Sequence, residues 1–210
     1  MESVGTRSWR IGEDRWPEAF DVALWFRAAE RIGVPAGGVV PGPAEIDMLP
    51  DRSAAPADAS ELAAGWLAWW QALAGQLPLR EPLDPSRLPS ALAFTGPPDF
   101  TGLAGWPVLQ QVVAARWREA TEWHRRRRRA GLAAGLRCDM RTVRAVHDLE
   151  RELGRPVRPF EVDFVLLAVR DDQIRELRPG RYLVPERLRD GPRWPQFLRE
   201  LLLPYARDTP

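Results

Sequence analysis

Five consecutive arginines, Arg125–Arg129, are the densest set of side chains able to bind a ligand in this sequence. A guanidinium group is planar and donates two parallel hydrogen bonds to the oxygens of a phosphate or a carboxylate. Five successive helical residues span more than one turn, so they cannot all face one partner. Trp117 and Trp123 lie nearby in the chain and could stack nucleic-acid bases. The run therefore predicts a solvated helix end, a site for an acidic protein, or a site for nucleic acid or another polyanion.

Four side chains of metal-ligand type lie in the same region of the chain, namely His124, Cys138, Asp139 and His147. Their spacing matches no zinc motif, and the sequence contains no nucleophile elbow, Walker loop or dinucleotide glycine motif. A cysteine and a histidine can act as nucleophile and base only where the fold brings them together. We therefore predict no metal, no cofactor and no catalytic residue. An enzyme with a site near His124, Cys138 and His147 is the second alternative function, after polyanion binding through Arg125–Arg129.

Glu161 and Asp163 form a pair of carboxylates two residues apart in a predicted strand. Strand geometry places them on one face about 7 Å apart, which overlaps the carboxylate spacing of inverting glycosidases. A strand with one face in water shows the same alternation of polar and apolar residues. We expect the two carboxylates to lie on such a solvent face.

Three of the ten tryptophans, Trp66, Trp69 and Trp70, crowd one predicted helix. Trp69 and Trp70 are adjacent and cannot point in one direction, so one of the three could be exposed. An exposed tryptophan beside a proline-rich loop favours a protein interface, whereas the alternative is that all three fill the core. We predict these three residues as the candidate interface.

Charge is distributed unevenly along the chain, although the net charge is only +1. Residues 1–114 contain 8 Arg and 14 acidic residues, and residues 115–145 contain 10 Arg and 3 acidic residues. Residues 146–210 contain 12 of each kind. The basic middle of the chain is therefore neutralised by the acidic N-terminal half, or it remains available to an outside partner.

All 30 basic residues are arginine. Together with abundant Ala, Pro and Gly, this bias indicates a high-GC bacterial genome. A single cysteine fits a reducing compartment, and the polar N-terminus predicts no signal peptide. No apolar run approaches the roughly 18 residues of a membrane span. We expect an arginine-rich and tryptophan-rich bacterial protein of the cytoplasm, with no membrane contact.

Apolar residues at helical spacing predict five helices. Pro17 and Glu18 suit the start of the first helix. Asp58 with Glu61 forms a capping-box pattern at the second, and Asp139 is the expected N-cap of the fourth. The five helices are predicted over residues 16–32, 58–77, 106–129, 139–153 and 195–205.

The chain changes to strand period near its C-terminus, where residues 160–169 are predicted to enter the centre of a sheet. A Pro179-Gly180 turn joins two further strand segments into a hairpin. Because so few strands are marginally stable alone, we expect another from 38–48 or 90–96. The predicted fold class is α+β. It has a helix-rich N-terminal and central part, a small, mainly antiparallel sheet built around the C-terminal hairpin, and a closing C-terminal helix.

The length suits one domain over residues 1–210. The domain could be divided into two parts. Residues 1–105 would form an acidic helical part that ends in a proline-rich loop at 78–105. Residues 106–210 would contain the long basic helix, the C-terminal strands and the C-terminal helix. We expect a non-catalytic protein that binds another protein or its own copy. The alternative is polyanion binding through Arg125–Arg129.

Overall fold

A computed structural model describes residues 2–5, 9–47, 50–53, 58–76, 96–134 and 140–207. Strands β1 (Glu2–Gly5) and β2 (Trp9–Asp14) come first, followed by helices α1 (Glu18–Ala29) and α2 (Ala59–Gln76). A 3-10 turn (Thr101–Leu103) leads to the long helix α3 (Pro107–Ala133), and then to α4 (Met140–Leu153). The C-terminal part contains β3 (Phe160–Leu167), β4 (Arg175–Arg178), β5 (Arg181–Pro185), the short helix α5 (Glu186–Asp190) and α6 (Trp194–Arg207).

The strands form one sheet in the order β1-β2-β3-β5-β4. The outer pairs, β1 with β2 and β4 with β5, are antiparallel. The central pairs, β2 with β3 and β3 with β5, are parallel. The predicted α+β class is confirmed, and the sheet is mixed rather than mainly antiparallel.

The N-terminal strands β1 and β2 were not predicted from the sequence. Glycine and acidic residues are rare in strands, and Gly12, Glu13 and Asp14 occupy half of β2. The expected strand at 38–48 is wrong, because the described residues of this segment contribute only isolated bridges, Gly37 with Val40 and Ala44 with Val169. The other candidate, 90–96, lies almost entirely outside the described residues.

Strand β3 lies at the centre of the sheet and contributes to two hydrophobic cores. Val162, Phe164 and Leu166 pack in a core with residues of α4 and α6. Val165 and Leu167 join the other core, which α1, α2 and α3 build on the opposite face. Both faces of the strand are therefore covered, which explains its nearly continuous apolar sequence.

The five predicted helices begin and end close to their predicted positions, and the short helix α5 was not predicted. Asp58 caps α2, since its carboxylate accepts hydrogen bonds from the N–H groups of Ser60 (2.8 Å) and Glu61 (3.2 Å). The Glu61 carboxylate accepts from the N–H of Val108 (3.0 Å), so it caps the start of α3. Helix α3 runs four residues beyond Arg129, and the expected N-cap of α4, Asp139, lies outside the described ranges.

The predicted hairpin is confirmed, with Pro179 and Gly180 between β4 and β5. Gly180 has a φ of +79°, and a Cβ there would lie 2.7 Å from the carbonyl oxygen of Glu161. Only glycine satisfies both demands without strain.

Over the described parts of the chain, no helix is both long and apolar enough to cross a membrane. The single domain and its sub-division near residue 105 stay predictions.

Candidate functional site: the arginine face of the long helix

The five arginines Arg125–Arg129 lie in the C-terminal half of α3 and point in different directions. Successive helical side chains are about 100° apart, so a run of five must include one that faces the protein interior. That residue is Arg127, whose side chain is 14% exposed. The other four are exposed.

Arg127 is held by two carboxylates from different parts of the chain. Its Nη1 donates to Asp21 of α1 at 2.7 Å, and its Nη2 donates to Glu186 at the start of α5. Burial opposes its charge, but the carboxylates of Asp21 and Glu186 outweigh that effect and raise the pKa of Arg127. Burial raises the pKa of Glu186, and Arg127 opposes the rise. Arg127 therefore joins α1, α3 and α5.

A second inward arginine, Arg116, anchors the middle of α3. It donates to the Glu30 carboxylate at the end of α1 and to Glu119 at 2.7 Å. Its guanidinium carbon lies 4.9 Å from the ring centre of Trp25. The hydrogen bond from Arg116 holds the pKa of Glu119 below its ordinary value. Arg116 thus takes up acidic charge from both its own helix and α1.

Part of the basic charge in the middle of the chain is neutralised by the acidic N-terminal half, through the two inward arginines. Acidic residues of the N-terminal half, Asp21 and Glu30, neutralise Arg127 and Arg116 within the protein. The outward arginines differ. Arg129 lies 3.8 Å from Glu122, with its side chain 71% exposed. No ion pair within the described chain involves the exposed residues Arg118, Arg125, Arg126 and Arg128, which we call the outer arginines.

An open groove of about 640 Å³ runs beside the outer arginines. Three of them, Arg118, Arg125 and Arg126, line it, together with Trp25, Trp123 and Pro50. The groove also contains Glu119 and Glu122, which are paired with Arg116 and Arg129 respectively. The groove is thus lined by cations that have no ion-pair partner among the described residues, by carboxylates that already have one, and by indole rings.

The predicted interface residues Trp66, Trp69 and Trp70 lie in the core and offer no exposed surface. Each is less than 5% exposed. Trp66 and Trp70 stack with ring centres 5.3 Å apart. Their indole N–H groups donate to the carbonyls of Ala23 (2.7 Å) and Val39 (2.8 Å). The three tryptophans follow the core alternative, and an interface that needs one of them exposed is not present in this structure.

The two histidines lie on different helices in different surroundings. His124 is 4% exposed, and its Nδ1 lies 2.8 Å from the Asp21 carboxylate. His147 is exposed on α4, where its Nδ1 lies 3.7 Å from Glu150. Cys138 and Asp139 lie outside the described residues. In the parts of the chain that are described, no group of three or more His, Cys, Asp and Glu side chains could hold a metal ion.

The expectation of a solvent face is wrong for Asp163, whereas the Glu161 side chain is 32% exposed. Asp163 is 5% exposed, and Arg10 of the neighbouring strand β2 lies 3.5 Å from it and 3.4 Å from Glu161. Burial raises the pKa of Asp163, while Arg10 opposes the rise. The pair is part of an ion cluster within the sheet, because β2 pairs with the edge of β3 and places Arg10 beside both carboxylates.

Sequence reasoning also missed parts of the groove. Arg118 and Arg125 are seven residues apart, a spacing that places two side chains on one face of a helix, and this signal was available. Trp25 and Pro50 come from distant segments, and no local pattern indicates that they lie beside α3.

Comparison of the chain with protein-family models, curated proteins and solved structures finds no match.

Proposed function

We propose that this protein binds nucleic acid by its phosphate groups, using the outer arginines of α3. The observation that carries the proposal is the division of the arginines of one helix. The inward ones are neutralised by Asp21, Glu30 and Glu186, whereas the outer arginines have no ion-pair partner in the described chain. Arginine suits phosphate because its planar fork donates to two oxygens at once.

The shape of the groove supports a strand of nucleic acid as the ligand. Proteins that bind single strands combine a positively charged groove with aromatic rings on which bases stack. Here Arg118, Arg125 and Arg126 supply the charge, and the half-buried Trp123 supplies a ring at the groove wall. The carboxylates in the groove are engaged by arginines of the protein, which limits their repulsion of phosphate.

Protein binding or self-association, the leading expectation from the sequence, has lost one of its supports. Trp66, Trp69 and Trp70 are buried, so the aromatic surface that favoured an interface is absent from the described structure. An acidic protein remains a competing ligand for the outer arginines, and it is one outcome of the test below. We propose a non-catalytic role in the cytoplasm of a high-GC bacterium, which rests on composition and on the lack of a catalytic motif.

Fluorescence anisotropy with labelled single-stranded DNA, duplex DNA and RNA tests the proposal. The variant Arg125→Gln/Arg126→Gln/Arg128→Gln removes three outer arginines and leaves Arg127 in place. The control Arg144→Gln/Arg158→Gln/Arg193→Gln removes three exposed arginines of the C-terminal part of the chain, so the two variants have equal net charge. Affinity should fall steeply with salt, by a log–log slope of about 0.7 to 0.9 per phosphate neutralised.

We expect the outer-arginine variant to lose most of its affinity, with a salt slope reduced by about two to three, and the control to retain both. Equal losses in the two variants would mean that net charge alone governs binding, which contradicts a site on α3. Binding of poly-glutamate with no binding of DNA or RNA would assign the face to an acidic protein and overturn the nucleic-acid proposal. Thermal melts of both variants check that they fold.

A further inference from the structure

A separate pocket lies at the C-terminal end of α1, far along the chain from the outer arginines. It has a volume of about 380 Å³, within the range of small-molecule sites. Its apolar lining comes from α1 and from the segment that follows it. These lining residues are Ala28, Ile32, Pro43, Ala44 and Ile46. Three arginines, Arg27, Arg31 and Arg170, complete the lining, which contains no acidic residue among the described parts of the chain.

We propose that this pocket, the α1 pocket, binds a small organic carboxylate that has an apolar body. The apolar side chains would cover the body, and the arginines would hold the carboxylate. This site is independent of the nucleic-acid proposal, because it uses different residues and a different ligand class.

The buried arginine of the pocket, Arg27, carries a charge that no carboxylate of the described chain pairs with. Its guanidinium donates to the carbonyl oxygens of Val34 (2.7 Å), Pro41 (2.8 Å) and Gly42 (3.3 Å). It also lies 5.1 Å from the ring centre of Trp66. Buried charges in proteins are normally paired with an opposite charge. An anion in the adjoining pocket would supply the missing negative charge.

Two charged side chains, Arg175 and Asp171, lie close to Arg27. Burial and the nearby charge of Arg175 lower the pKa of Arg27, and Asp171 opposes them. Asp171 is itself engaged, since it accepts hydrogen bonds from Arg175 and from the N–H of Gly42. The charges of Arg175 and Asp171 therefore offset each other, and the charge of Arg27 keeps no carboxylate partner in the described chain.

Arg31 lies at the pocket in a backbone conformation that is unusual for its residue type. Its φ is +52°, in the left-handed region, at the position just after α1 where glycine is preferred. The N–H groups of Arg31 and Ile32 bind the carbonyls of Ala28 (3.2 Å) and Arg27 (2.8 Å). These bonds cap the negative end of the helix, which reduces its repulsion of an anion. An arginine kept in a strained position at a pocket points to a role for its side chain.

Isothermal titration calorimetry with three probes tests the assignment on the full chain. Octanoate has the carboxylate and the apolar body, octanamide has the body without the charge, and acetate has the charge without the body. We expect saturable binding of octanoate, with octanamide and acetate each weaker by about tenfold or more. If octanamide bound as tightly as octanoate, the ligand would not need a negative charge. If acetate bound as tightly as octanoate, the ligand would not need an apolar body. Either result overturns the proposal.

Variants locate the binding. Arg31→Gln/Arg170→Gln should weaken octanoate about tenfold or more, while the control Arg144→Gln/Arg158→Gln should bind as the unmodified protein does. Ala44→Phe fills the pocket and should also abolish binding. Arg125→Gln/Arg126→Gln/Arg128→Gln should retain octanoate, which separates this site from the outer arginines. Unchanged affinity in the Arg31/Arg170 variant, or no binding of octanoate up to about 10 mM, overturns the proposal.

Discussion

The Asp21 carboxylate of α1 accepts a hydrogen bond of 2.7 Å from the Arg127 guanidinium of α3, across 106 positions of sequence. Asp21 is fully buried, and the same carboxylate oxygen lies 2.8 Å from His124. The contact converts one member of the arginine run into a structural residue. Its neighbours on either side keep the exposed orientation that a binding face needs.

Loss of the Asp21 carboxylate should destabilise the protein strongly. Asp21→Ala leaves the Arg127 charge half-buried with one carboxylate fewer, and removal of one partner from a buried ion pair costs about 3–5 kcal/mol. Urea denaturation at neutral pH measures the free energy of unfolding. The control Arg128→Gln changes an exposed arginine of the same run, and its effect should stay within about 0.5 kcal/mol. A loss below about 1 kcal/mol for Asp21→Ala would contradict a structural role for this pair.

Asp171 should make stability depend on pH in the acid range. Burial acts to raise the pKa of Asp171, but hydrogen bonds from Arg175 and from the N–H groups of Gly42 and Gln173 outweigh it and lower the pKa. A lowered folded-state pKa gives stability that is present above the unfolded-state value, about 3.9, and is lost as pH falls through the folded-state pKa. The difference in unfolding free energy between the unmodified protein and Asp171→Asn should therefore shrink from pH 7 towards about pH 2.

Asp163 supplies a control of opposite sign for that experiment. Burial raises the pKa of Asp163, so its folded state holds the proton more tightly than the unfolded state does. Stability from this group is therefore full below the unfolded-state pKa and falls as pH rises through the folded-state pKa. The two Asp→Asn variants should change the pH profile in opposite directions. Parallel profiles would contradict the assigned environments.

The hairpin glycine Gly180 should not tolerate a side chain. With a φ of +79° and the Glu161 carbonyl 2.7 Å from the site of a Cβ, Gly180→Ala combines backbone strain with a clash. We expect a loss of about 1–3 kcal/mol in the unfolding free energy. The control Gly75→Ala lies on α2 with no atom near the added Cβ, and it should stabilise by about 0.5–1 kcal/mol. Equal effects in the two variants would contradict this account.

Local sequence patterns were sufficient for five of the six helices in the described chain, the central strand and the hairpin, because those elements follow from periodicity, caps and turn residues. They were insufficient where distant segments meet. Helical geometry requires one residue of Arg125–Arg129 to face inward, but only the position of Asp21 in space determines that it is Arg127. The pairing of Glu161 and Asp163 with Arg10 likewise depends on β2, which comes from the other end of the chain. The glycine and acidic residues of β2 are rare in strands, so its local sequence does not predict a strand.

Arg31 allows the cost of a strained position to be separated from the value of its side chain. Arg31→Gly and Arg31→Ala both remove the guanidinium, but only glycine removes the steric cost of a φ of +52°. We expect Arg31→Gly to be about 1 kcal/mol more stable than Arg31→Ala in urea denaturation, and more stable than the unmodified protein. Both variants should bind octanoate equally weakly, because both lack the charge. If Arg31→Gly were no more stable than the unmodified protein, the arginine would contribute to folding as much as its backbone costs. Its presence beside the α1 pocket would then need no ligand to explain it.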